Sequence, residues 1–109
     1  MGKEVVFDVK AEEVLKEGKM ISTSIFKNQT YTEFPYKYAI TEKGIWIEEK
    51  ALFGTKAAFL SFVDVRAYAC MNNCCILYPK KGVIPTNVYF DDFAEAIKIV
   101  EKYVPKLMM

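Results

Sequence analysis

The sequence predicts a mainly β chain that ends in a single C-terminal α-helix. Two patterns predict it. From Glu4 to Tyr89 the apolar residues alternate in short stretches, and turn residues interrupt them about every 8–12 positions. From Asp91 onward the spacing changes to fours and threes, so Phe93, Ile97, Val100, Val104 and Leu107 share one helical face. No helical stretch separates the strands, so antiparallel meander connections fit and parallel crossovers do not. One domain over residues 1–109 follows, with six to eight strands at about 4–90 and the helix at about 91–105.

Taken in order, Val5, Phe7 and Val9 fall on one face of a first strand, Glu4 to Lys10. Ala11 to Glu17 holds helix formers enough for a single turn before Gly18. Met20 to Phe26 and Tyr31 to Thr41 read as strands about a turn at Asn28-Gln29. Pro35 cannot donate to a ladder, which places it at an edge or a bulge. Thr41-Glu42-Lys43-Gly44 is a tight turn into a strand from Ile45 to Leu52. A two-residue loop would set Ile40 opposite Ile45, whereas a glycine bulge at Gly44 would slip that pairing by one.

Phe53-Gly54-Thr55 turns the chain into a strand through Ala58, Leu60 and Phe62. Val65 to Met71 and Cys74 to Tyr78 form a hairpin closed by Asn72-Asn73, a dipeptide that tolerates positive φ. Lys80-Lys81-Gly82 turns again, and Val83 to Tyr89 runs into the helix, with Pro85 at an edge or bulge. Asp91 and Asp92 cap and charge the helix start, Lys98, Lys102 and Lys106 suit its end, and Pro105 stops it.

Composition excludes several function classes. Fifteen Lys plus Arg balance fourteen Asp plus Glu, and only one cation is Arg. A chain without a net positive field or guanidinium forks is not expected to bind nucleic acid. No apolar run reaches the ~18–20 residues of a membrane span, and the start lacks a signal peptide's apolar core. The expected location is the cytoplasm. There is no His, which removes the commonest general base, the commonest metal ligand and every Ser-His or Cys-His dyad. No cofactor motif is present either, so neither catalysis nor a cofactor is expected.

The remaining candidates each have a bland reading. Cys70, Cys74 and Cys75 are too few for a structural zinc site, which takes four Cys or His ligands. Across a two-residue Asn72-Asn73 turn, Met71 would face Cys74, and Cys70 would face Cys75 at ~4.5 Å between Cα atoms, inside disulfide range. In a reducing compartment they read instead as small buried hydrophobes. Glu48 and Glu49 point to opposite strand faces, and Asp91-Asp92 is accounted for by the helix start. Lys80-Lys81, even with Lys56 and Lys50, offers only ~1 kcal/mol per Lys at an anionic membrane, so membrane contact is not expected.

Two features point to contact surfaces. Trp46, the single Trp, alternates with Ile45 and Ile47 and shares the opposite face with Glu48 and Lys50, so it is either partly buried against a neighbouring strand or loop or part of a contact surface. The 65–78 hairpin is apolar on both faces. Val65, Ala67, Ala69, Met71, Cys74 and Ile76 fall on one, and Tyr68, Cys70, Cys75 and Leu77 on the other. Either the helix covers one face and a second chain the other, or a segment of the same chain does so, for which the N-terminal strand around Val5 and Phe7 is the one candidate. Trp46, Tyr68, Cys70, Cys75 and Leu77 are therefore the expected interaction residues, and a two-fold homodimer the expected assembly.

A serial pattern adds to this: Tyr38-Ala39-Ile40-Thr41-Glu42-Lys43-Gly44-Ile45, Leu60-Ser61-Phe62-Val63-Asp64-Val65, Leu77-Tyr78-Pro79, and Asp91-Asp92-Phe93-Ala94-Glu95-Ala96-Ile97, with Glu12-Glu13-Val14-Leu15-Lys16-Glu17-Gly18 before them. It resembles the bacterial pleckstrin-homology-like domains, particularly the YcxB-like group, over roughly residues 12 to 105. The resemblance implies a strongly bent seven-stranded antiparallel sheet, or partial barrel, capped by the C-terminal helix, and it carries over no catalytic residues. The two membrane helices often preceding such domains are missing here, as is the basic cluster that holds a headgroup in phosphoinositide-binding relatives. The expected function is a non-enzymatic interaction module acting through protein contact. The alternative is a small-ligand carrier or enzyme on an antiparallel α+β sheet, with a pocket between sheet and helix.

Overall fold

The computed structural model describes residues 7–26 and 29–108, with the backbone alone for residues 21–26, 29–35, 50 and 51. A 3-10 turn at Ala11–Glu13 precedes β1 (Lys16–Phe26), β2 (Gln29–Ile40), β3 (Gly44–Ala51) and β4 (Gly54–Ser61). A second 3-10 turn, Phe62–Asp64, leads to β5 (Val65–Met71), β6 (Cys74–Pro79), β7 (Thr86–Tyr89) and α1 (Phe93–Val100). The strands form two antiparallel sheets, ordered β1-β2-β3-β4 and β5-β6-β7. The expectation of a β-rich chain with one terminal helix holds at that level.

A bridge between Met20 and Phe90 ties β1 to the end of β7, so the sheets meet on one side and diverge between β4 and β5 on the other. The outer edge of β5 is covered by the chain's own tail. Tyr68 donates its N–H to the Pro105 carbonyl and accepts from the Leu107 N–H, at 2.9 and 2.7 Å.

Turn chemistry fixes the registers. Ile40 faces Ile45, and the Thr41 N–H donates to the Gly44 carbonyl at 2.8 Å, so Glu42-Lys43 is a two-residue loop without a bulge. Thr41 Oγ1 donates to the Gly44 carbonyl and accepts from the Lys43 and Gly44 amides. Gly44 is needed for close approach, because a Cβ there would strike the Leu60 carbonyl and the Phe59 ring. Asn72 takes φ 56°, and Met71–Cys74 and Cys70–Cys75 pair as the two-residue turn requires. Pro35 sits where the β1–β2 register shifts and beyond the β2–β3 pairs, a place that needs no N–H donor.

Three expected elements differ. Phe7 to Lys10 is not strand, and the rest of that first stretch lies outside the described residues. The last strand starts at Thr86, because Val83 and Ile84 belong to an exposed loop. Regular helix ends at Val100 and continues as turns, in which the Val104 N–H still donates to the Val100 carbonyl.

Tyr38, Ile40, Ile45 and Ile47 of the first sheet meet Val65, Tyr68, Cys75, Leu77 and Val88 of the second, with Ala96, Val100 and Val104 above them. The helix therefore turns its 96–100–104 line deepest into the core, while Phe93 and Ile97 flank it half-buried. Ala96 was not in the periodic set, because a small residue adds little to an apolar stripe. Val100→Ala should cost about 2 kcal/mol and Ile97→Ala nearer 1. Urea melts that put Ile97→Ala well above Val100→Ala would contradict this packing.

Candidate functional site

Trp46 projects from β3 onto the outer face of the first sheet, half-buried between two rings of its own chain. Phe7 stacks at 6.0 Å and Phe59, its cross-strand partner, lies at 4.9 Å. Lys37 places its ammonium 5.6 Å from the Phe7 ring centre. Phe7 thus covers part of the face that Trp46 marked. Beside it, Val9, Ala11, Val14, Glu17 and Lys19 line an open groove of about 560 Å³.

The second sheet corrects the predicted surface. Tyr68, Cys75 and Leu77 are 4%, 0% and 2% exposed, facing the core beneath α1 and the tail. They cannot present a contact surface while the chain is folded. Of the hairpin residues in that set, only Cys70 is exposed. The outer face belongs to Ala67, Ala69, Met71, Cys74, Ile76 and Tyr78, continued on β7 by Tyr89 opposite Cys74. Met71 and Tyr89 are exposed and Ala69, Ile76 and Tyr78 half-buried, while the smaller Ala67 and Cys74 are buried. Ala69, Met71, Ile76, Tyr78 and Tyr89 lie outside the core cluster.

Sequence alternation could not say which of two apolar faces α1 would cover. It also misplaced Val65. A register shift between Val65 and Ala67 puts exposed Arg66 at the irregularity, with its guanidinium 5.7 Å from the Tyr78 ring centre, and turns Val65 inward.

Cys74 and Cys75 fit the reading as small buried hydrophobes, whereas exposed Cys70 departs from it. Burial pushes the Cys75 thiol up to about 12, with the neighbouring Cys70 and Cys74 adding to it, so it stays protonated. Among the described residues no three Cys, Asp or Glu side chains converge as a metal site.

Asp91 does more than start the helix. Its carboxylate accepts from the Lys19 N–H at 3.1 Å, the Tyr38 hydroxyl at 3.1 Å and the Asp92 N–H at 2.8 Å. Lys16 reaches Asp92 at 3.0 Å. Burial pushes the Asp91 carboxyl up, but those three donors and the Lys16 charge outweigh it and hold it below the usual value. Tyr38 is raised, by burial first and by the Asp91 charge second. Gly18 is the enabling residue, because a Cβ there would come within 2.5 Å of Asp91 Oδ1 and 2.8 Å of the Tyr38 hydroxyl. The group reads as a structural corner joining β1, β2 and α1. Asp92 occupies the N-cap position without a side-chain capping bond.

Where the sheets diverge, Leu60, Asp64, Val65, Leu77, Pro79, Lys80, Lys81 and Thr86 line a groove of about 370 Å³. The space between sheets and helix is filled by Tyr38, Phe90, Leu77, Val88, Val100 and Val104. Among the described residues no helix is long and apolar enough to cross a membrane. The chain matches no protein-family model, no curated protein and no solved structure.

Proposed function

We propose that this chain is a non-enzymatic contact module of pleckstrin-homology-like type that self-associates through the outer face of β5-β6-β7. The succession of four strands, three strands and a capping C-terminal helix supports the type. The carrying observation is the outer face itself, where Ala69, Met71, Ile76, Tyr78 and Tyr89 form an apolar surface outside the core cluster. Homodimers by isologous contact are a common way to cover such a patch. The filled interior supports this reading over a carrier with a pocket beneath the helix. The lack of His, and so of the commonest general base, supports a module without catalysis of its own.

Sedimentation at micromolar concentration tests it. The wild type should sediment as a dimer and Ile76→Lys as a folded monomer, because residue 76 faces outward and a charge there need not enter the core. A monomeric wild type, or a dimer unaffected by Ile76→Lys, would refute the assignment.

A further inference from the structure

The outer edges of β4 and β5 are treated differently. The tail pairs with β5, but β4 ends the first sheet, and among the described residues no strand pairs with its outward side. The Phe62 N–H donates to the Lys43 carbonyl, which fixes the ladder's phase. Counting back along the β3–β4 register, Ala58 and Leu60 exchange hydrogen bonds with β3, while Thr55, Ala57, Phe59 and Ser61 turn their N–H and C=O groups outward. The apolar groove between the sheets lies alongside, with Leu60, Val65, Leu77 and Pro79 in its lining. At the Ser61 end stand Lys80 and Lys81, held there by the Lys80 N–H bond to the Asp64 carbonyl. Both are exposed, and among the described residues neither has a carboxylate partner. Val83 and Ile84, 90% and 81% exposed, follow in the same loop.

We propose that this edge binds an extended peptide segment of a partner protein, adding antiparallel to β4 with acidic residues at its N-terminal end. Strand addition satisfies the four outward backbone positions, and every second side chain enters the groove. Antiparallel direction brings the segment's N-terminus to Lys80 and Lys81, where carboxylates complete the charge pairing. The inference rests on the reading as a contact module but not on self-association, since it uses the β4 edge and not the outer face of β5-β6-β7.

The test uses the full chain and a synthetic peptide of two aspartates followed by six alternating valines and threonines. Bound peptide should slow amide exchange at Ala57 and Phe59 by about tenfold or more and leave Ala58 and Leu60 unchanged, because those already donate to β3. Ala57→Pro removes only an outward N–H and should abolish binding, and N-methylating the peptide's β4-facing amides should do the same with the protein untouched. Lys80→Glu with Lys81→Glu should weaken binding about tenfold. The proposal is overturned if no peptide-dependent protection occurs, if the N-methylated peptide binds as well, or if only phosphatidylserine vesicles bind through Lys80 and Lys81. Loss of peptide binding with the dimer intact removes this inference alone, whereas a monomeric wild type that still takes the peptide removes self-association alone.

Discussion

Leu77→Lys should leave the protein unfolded at 25 °C. Leu77 is 2% exposed on the inner face of β6, opposite Tyr68, with Thr86 beside it on β7. An ammonium there has no carboxylate partner on either adjoining strand position, and burying an unpaired charge costs several kcal/mol before the lost leucine packing is counted. The sum reaches ~5 kcal/mol or more, comparable with the whole stability of a domain of this size. Circular dichroism and thermal melts decide the matter. A cooperative melt near the wild-type midpoint would mean that Leu77 lies on the surface and that the second sheet is turned the other way. The contrast with neighbouring Ile76→Lys, which should fold and fail only to dimerise, makes the pair diagnostic of the sheet's facing.

Asp91→Ala should cost about 3 kcal/mol, since it strands the Tyr38 hydroxyl and the Lys19 amide and removes a charged acceptor. Gly18→Ala should reproduce much of this loss by pushing the carboxylate off the same donors. The pH dependence follows from the direction of the shift. The folded carboxyl is held below its unfolded value, so its contribution is full above about pH 4 and is lost as pH falls through the lower folded value. Tyr38 acts at the other extreme. Its folded value is raised, so its contribution is full below about pH 10 and declines as pH rises above that. Urea midpoints of the wild type should fall between pH 4 and 2, and those of Asp91→Asn should fall less steeply. Equal slopes would show that the Asp91 cluster is not the corner described.

Local chemistry made much of the fold legible. Asn72-Asn73 dictated the Cys70–Cys75 register, Pro35 marked the place without a ladder donor, and the change of period at Asp91 marked the helix. What was not legible depended on contacts across the chain. Alternation in β5 and β6 showed two apolar faces but not which one α1 covers. Tyr68, Cys75 and Leu77 therefore looked like surface candidates, although they are core. Arg66 gave no local sign of the register shift that turns Val65 inward. For Trp46 the sequence left partial burial and a contact surface open; it is half-buried, and its Phe7 partner lies in a stretch that read as a strand. Asp91 looked complete as a helix start, because neither Tyr38 nor Gly18 is near it in sequence.

Amide resonances recorded over a dilution series from high to low micromolar test most directly whether the outer face of β5-β6-β7 is the contact surface. Concentration-dependent shifts should concentrate at Ala69, Met71, Ile76, Tyr78 and Tyr89, with Trp46 and Phe59 unmoved. Shifts confined to the Trp46 face, or none while the protein sediments as a monomer throughout, would contradict it.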